Sequence, residues 1–212
     1  EDPRVLKAAA IVAKEEFAKI VLVGKKEEIE KVCEDENIEL PFEKVEIIDN
    51  LTSSKKEVYD ELLYELRKKK GITLEDARKI NEDKVYFATM MVKAGDADGL
   101  VSGAIHSTAN TLRPALQIIK AAEGINNVSS FFLMETHKKD LGTDGVLVFS
   151  DCGLIEFPTV EQLVDITIES AQSYRMLTGF EPKVALLSYS TKGSAKNEAI
   201  DKLNVVLEKL KE

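Results

Sequence analysis

Residues 95–122 read GDADGLVSGAIHSTANTLRPALQIIKAA, and the fold assignment turns on them. Positions 98–105 are a short apolar run with two glycines, the pattern of a buried strand. From about Thr111 onward, Leu112, Leu116, Ile119 and Ala122 recur at helical spacing. Between these segments lie Ser102, His106, Ser107, Thr108, Asn110 and Thr111, followed by one cation, Arg113. A strand that empties into hydroxyls at a helix start suits an anion. Free backbone N–H groups point outward, the helix dipole favours negative charge, and a guanidinium adds a bidentate clamp. Pro114 reads as a first-turn residue, where its missing N–H is tolerated. On this reading Arg113 is either that clamp or a surface cation.

Towards the N-terminus, Val5, Leu6, Ala9, Val12, Ala13 and Phe17 predict a helix over 4–17. The run AKIVLVG (18–24) predicts a strand, 27–34 a charged helix with Ile29 and Val32 inward, and EKVEIID (43–49) a second strand. That alternation implies βαβ crossovers and a mainly parallel sheet. Positions 55–70 form an amphipathic helix that ends in Arg67-Lys68-Lys69-Lys70 before Gly71. Thr73 caps the next helix with Asp76 as its partner, and 83–94 reads as a nearly all-round apolar helix. Its Tyr86, Phe87, Met90 and Met91 read as core.

Towards the C-terminus, 128–134 and 145–151 predict strands, with an exposed polar loop carrying His137 between them. Thr159 and Gln162 form a capping box for a helix that runs to about Leu177, before Gly179. A last strand, KVALLSYS (183–190), opens into Ser190-Thr191-Lys192-Gly193-Ser194 and a charged helix. The pattern predicts a doubly wound α/β fold in two lobes, 1–124 and 125–212, with ligand between them at the carboxyl ends of strands.

The chain of 212 residues is 44% hydrophobic and 32% charged, which suits a globular protein with a sizeable core. Its formal net charge of −9 gives non-specific nucleic-acid binding little support, although a local basic cleft still suits a small anion. No apolar run approaches membrane-spanning length and no signal peptide precedes the first helix, so no membrane partner is expected. Cys33 and Cys152 make neither a disulfide framework nor a zinc pattern, which fits a reducing cytoplasm. The turns SGAIHSTANTLRP and LSYSTKGSAK match neither Walker A nor G-x-G-x-x-G, which disfavours nucleotide hydrolysis and dinucleotide binding. Each either binds phosphate or merely caps a helix. Arg67 reads as an ordinary cationic helix end, and Arg4 sits at a helix mouth, where the dipole disfavours it. His106 either orients a ligand or holds its loop, and Asp151 either faces a cleft or caps the turn after it.

Laid out this way, the chain resembles the phosphate acetyltransferase (phosphotransacetylase) family. The matching words are EDPRVLKAA, YELRKKKGITLEDA, DADGLVSGAIHSTANTLRPALQIIK, GVLVFSD with Asp151-Cys152-Gly153, and LSYSTKGSAK, in the family's order. The central motif fits the acetyl-transferring members better than the butyryl-transferring ones. The resemblance implies a two-lobed, three-layer fold like that of isocitrate and isopropylmalate dehydrogenases. It implies reversible acetyl transfer between acetyl-CoA and inorganic phosphate, giving acetyl phosphate and coenzyme A. Coenzyme A is then a substrate, no cofactor is bound permanently, and no metal takes part in the transfer. The resemblance also implies a cytoplasmic homodimer. Arg113 matches the family's active-site arginine. Arg4 and Arg67 match further substrate-binding arginines, and Ser107, Thr108, Ser190, Thr191 and Ser194 match residues lining the same cleft. Family members carry an earlier first strand and, beyond the position of Glu212, an Asn-Asp-Leu-Ser-Arg-Gly-like segment with the proposed general base. The expectation is therefore that these 212 residues alone have little transferase activity.

Overall fold

In a computed structural model of the chain, residues 2–121, 125–191 and 193–211 are described. The chain forms a mixed α/β structure that divides into two compact units, Glu1–Lys120 and Ala121–Glu212. The expected lobe boundary near 124–125 falls at positions 122–124, outside the described residues, as does Ala122, the last apolar position of the central helix.

The first unit is built on one βαβ crossover. Strand β1 (Ile20–Val23) follows helix α1 (Pro3–Glu15) and leads through α2 (Lys26–Asp35) to β2 (Val45–Ile48). The two strands pair in parallel, Ile20 with Val45 and Val23 with Ile48. Strand side chains alternate between faces, so one set of strand residues packs with α1 and α2: Leu22 and Val45 join Leu6, Ala9, Ala10, Ala13, Ile29 and Cys33. The opposite set, Val21, Val23 and Ile48, packs on a second core of Tyr59, Leu63, Ala77, Phe87, Met90, Met91 and Ile118. That core belongs to α3 (Lys56–Arg67), α4 (Leu74–Ile80), α5 (Lys84–Ala94) and the segment after Pro114. Helices thus cover both faces of the parallel pair, as a strand that is apolar all round requires.

Helix ends follow local chemistry. Thr73 and Asp76 complete the capping box of α4, Asp83 caps α5 by accepting from Val85 and Tyr86 N–H groups, and Gly95 ends α5 at φ +80°. The rings of Tyr59 and Phe87 meet edge to face, 5.1 Å apart, which locks α3 onto α5. Behind them Asp60 is buried and accepts from Lys56 Nζ at 2.7 Å and from Asn81 Nδ2 at 2.9 Å.

The second unit pairs β3 (Phe131–Glu135) with β4 (Val146–Ser150) and packs α7 (Val160–Thr178) against β4 and against α8 (Glu198–Lys209). Thr159 and Gln162 form the capping box of α7, and Gly179 ends it. The strands run antiparallel, Phe131 with Ser150 and Glu135 with Val146, so the mainly parallel sheet does not extend to this half. Among the described residues the strands make two separate two-stranded sheets rather than one doubly wound sheet. Two expected strands are also irregular. Positions 98–105 carry Val101 at 99% exposure, and 183–190 leave Leu187 and Tyr189 more than three-quarters exposed. An apolar run becomes a strand only when a partner ladder takes its N–H and C=O groups, and among the described residues neither run has one. Among the described residues no helix is long and apolar enough to cross a membrane.

Asp60→Ala leaves the Lys56 ammonium and the buried Asn81 amide without their shared acceptor. It is expected to destabilise the first unit by about 2–4 kcal/mol, read from urea unfolding. A loss under about 0.5 kcal/mol would show that the network carries no stability.

Candidate functional site

The stretch that follows α5 is an irregular, mostly exposed loop that leads into a short helix. Two glycines interrupt it, and Gly103, at φ +110°, takes a backbone angle that side-chain-bearing residues avoid. Ser107 then caps α6 (Thr108–Pro114) by accepting from Asn110 N–H at 3.2 Å. Ser107 and Thr108 are exposed, and His106 beside them is half-buried.

Pro114 does not occupy the first turn. It closes α6, seven residues in, and the chain continues through a π turn, Ala115–Ile119. The reason is local: proline offers no N–H to the carbonyl four residues earlier, so the α ladder stops and the backbone widens. Arg113 therefore leaves from the end of α6, more than a turn beyond the orphan N–H groups that the sequence pattern set beside it. Its surroundings come from other helices.

Those helices are α3 and α5. Tyr86, near the start of α5, is half-buried and places its hydroxyl 3.0 Å from Gln117 Oε1, on the π turn four residues after Arg113. Burial pushes the Tyr86 phenol above its ordinary range. The positive charges of Arg113 and then Arg67 pull it down, while Asp83, engaged in capping α5, pushes it up. The net shift is upward, so the phenol is neutral at physiological pH. Arg113 is exposed, and Arg67 is half-buried at the end of α3. The structure thus brings Arg67 and Arg113 into the field of one hydroxyl. Periodicity assigns Tyr86 to the core with Phe87, Met90 and Met91; those three are buried, and Tyr86 is half-buried and packs against the same core. The missed signal is its hydroxyl, which at a half-buried position needs a partner. An open depression beside Tyr86 is lined in part by Asp76 and Asp83, a poor setting for an anion.

Arg4 has its own anchors. Asp2 caps α1 through Arg4 N–H at 2.8 Å and accepts from the Arg4 guanidinium at 2.8 and 2.9 Å. The apparent misfit of a cation at a helix mouth is removed by this carboxylate, which Arg4 holds at a pKa of about 2. Arg4 Nη2 also donates to Ala104 O at 2.7 Å, tying α1 to the loop before Ser107.

In the second unit Ser190, Thr191 and Ser194 form a self-bonded turn. Ser190 Oγ lies 3.0 Å from Ser194 Oγ and accepts from Ala195 N–H, and Ser194 N–H donates to Thr191 O. The turn does not open α8 directly: Asn197 caps that helix. Asp151 caps the turn after it, accepting from Leu154 and Ile155 N–H groups and from Ser130 Oγ at 2.8 Å. Burial raises its pKa, but these bonds outweigh it and the net shift is downward. Cys33 is buried in an apolar core that pushes its thiol up, unlike a nucleophile, and Cys152 Sγ lies 2.9 Å from Phe149 O. Among the described residues no group of histidine, cysteine and carboxylate side chains is placed to hold a metal.

A family model described as phosphate acetyl/butaryl transferase matches residues 1–212. A phosphate acetyltransferase from Thermoanaerobacterium thermosaccharolyticum is 51% identical over 98% of the chain and 62% of its own length. One from Acetivibrio thermocellus is 50% identical over 95% of the chain and 60% of its length. Among solved structures, a phosphotransacetylase from Streptococcus pyogenes superposes with a TM-score of 0.85 at 38% identity, covering 99% of the chain and 61% of the other. The EutD phosphotransacetylase from Staphylococcus aureus gives 0.84 at 35% identity, with the same coverage. The chain spans about three-fifths of the length of these relatives.

Arg4→Ala is expected to return Asp2 from about 2 towards its ordinary 3.8, followed by carboxyl-carbon NMR. Because the folded value lies below the unfolded one, the stability that this pair adds is complete above about pH 4 and is lost as pH falls through 2. An Asp2 midpoint that Arg4→Ala leaves unmoved would contradict the pairing.

Proposed function

Because the chain belongs to the phosphate acetyl/butaryl transferase family, whose model matches it over residues 1–212, we propose that the protein catalyses reversible acetyl transfer between acetyl-CoA and inorganic phosphate. The observation that supports a role for these residues is the Tyr86 hydroxyl bonded to Gln117, one turn after Arg113, in the field of both Arg113 and Arg67. Two guanidiniums held near one neutral dipole repel each other, and a phosphate-bearing substrate relieves that repulsion.

In the proposed reaction the coenzyme A sulfur attacks the carbonyl carbon of acetyl phosphate. The carbon–oxygen bond to phosphate breaks, inorganic phosphate leaves with the electron pair, and the thiol proton passes to a general base. Arg113 acts as the catalytic residue, holding the phosphate oxygens where negative charge grows. Arg67 shares the anion, and Arg4, Ser107 and Thr108 bind substrate nearby in the first unit. Ser190, Thr191 and Ser194 bind substrate in the second unit. Preorganised donors of this kind act because they need no reorientation as charge develops. Coenzyme A enters as a substrate, and no permanently bound cofactor is part of the scheme. The wider proposal includes the doubly wound, dehydrogenase-like architecture in two lobes, 1–124 and 125–212, a cytoplasmic setting and a homodimer.

Arg113→Ala is expected to lower kcat/KM for acetyl phosphate formation about 10²–10³-fold in the full-length protein, read by trapping the product as a hydroxamate. Arg113→Lys is expected to recover only part of the loss, since an ammonium lacks the bidentate fork. Unchanged turnover in Arg113→Ala would refute the assignment.

A further inference from the structure

The interruption at Pro114 creates a mechanical problem. An unbroken α-helix fixes the direction of every side chain through its hydrogen-bond ladder, whereas a helix that passes from α to π geometry lacks that lock at the junction. Arg113 sits at the junction, immediately before Pro114. Something outside the helix must fix the rotation of this segment about its axis.

Buried Pro114 and Ile118 seat the segment on the core, and the directional contact that sets its rotation is the Tyr86 hydroxyl on Gln117 Oε1, at 3.0 Å across 31 residues of sequence. Gln117 follows Arg113 by four residues, about one turn, so the two side chains project from neighbouring parts of the segment's surface. Tyr86 is set in turn by α5, which is capped by Asp83 and clamped to α3 through the Phe87–Tyr59 ring pair. Since α3 ends in Arg67, the chain of contacts runs from one guanidinium to the other through rigid elements. The Tyr86 proton is donated to Gln117, and the phenol stays neutral among the charges of Arg113, Arg67 and Asp83. A neutral hydroxyl can orient two cations there without cancelling the charge an anion needs. A carboxylate in its place would neutralise one of them.

We propose that Tyr86 is a positioning residue for anion binding: through Gln117 it holds the Arg113 segment at the rotation at which Arg113 and Arg67 face one phosphate group. This rests on the anion-site reading above and assigns that site a group outside the matched motif residues. Tyr86 touches neither reacting atoms nor substrate. It acts through Arg113.

The test is a double-mutant cycle on the 212-residue chain, with inorganic phosphate as probe and titration calorimetry as readout. Tyr86→Phe keeps the ring and is expected to weaken phosphate binding about five- to tenfold with an unchanged unfolding midpoint. Gln117→Met, which removes the partner from the other side, is expected to weaken it similarly. In an Arg113→Ala background, where affinity is already lost, Tyr86→Phe is expected to add nothing. If Arg113→Ala weakens binding but Tyr86→Phe and Gln117→Met do not, the Tyr86 role is overturned and the anion site stands. An equal loss from Tyr86→Phe in both backgrounds, or a loss that tracks a lowered unfolding midpoint, marks a merely structural tyrosine and overturns the role too. If the wild-type chain does not bind phosphate, or Arg113→Ala binds it as well as wild type, both the site and the role fall.

Discussion

The anion site proposed for this protein depends on two like charges, Arg67 and Arg113, that both act on the Tyr86 hydroxyl in the folded state. Such a pair is unfavourable until an anion arrives, so other contacts must hold it. The holding contacts are apolar and directional: the edge-to-face rings of Tyr59 and Phe87, the buried Met90 and Met91, and the hydroxyl of Tyr86 on Gln117. The first unit's second core is therefore more than a source of stability. It supports the two helical ends that carry the guanidiniums.

The same logic separates Arg4 from its two counterparts. Arg4 is compensated by Asp2 and spends a donor on the Ala104 carbonyl, so its visible task is to fasten the loop before Ser107. Arg113 and Arg67 face a hydroxyl that is neutral and half-buried. A cation held by a carboxylate, as Arg4 is by Asp2, fixes backbone, whereas Arg113 and Arg67 act on a neutral hydroxyl. This difference in partners, rather than position along the chain, distinguishes the three arginines.

What was legible in the sequence was what is decided locally. The capping boxes at Thr73 and Thr159, the glycines that end α5 and α7, and the parallel β1–α2–β2 crossover follow from residues within one or two turns of each other. Among the described residues, positions 98–105 and 183–190 have strand composition but no ladder, because pairing is a property of two segments and composition belongs to one. Pro114 looked like a first-turn proline because Ser107, the true cap, was counted among the ligand-facing hydroxyls. Tyr86 was hidden for a related reason. Periodicity identifies the face a residue occupies, and only tertiary structure shows that its hydroxyl bonds Gln117 and lies in the field of Arg113 and Arg67.

The second unit is held differently. Ile166, Tyr174 and Val206 are its buried hydrophobic residues among those described, while Phe157, Met176 and Leu187 stay more than three-quarters exposed. Its order comes instead from caps and polar bonds around Asp151, Asn127 and Thr159. In the first unit the proposal is that Arg67 and Arg113 serve a single anion. It is tested most directly by the phosphate affinity of Arg67→Ala, Arg113→Ala and the double variant. One shared anion predicts that the double variant binds little worse than either single variant, because each already breaks the site. Fully additive losses would contradict the account, since they would place the two arginines at independent sites.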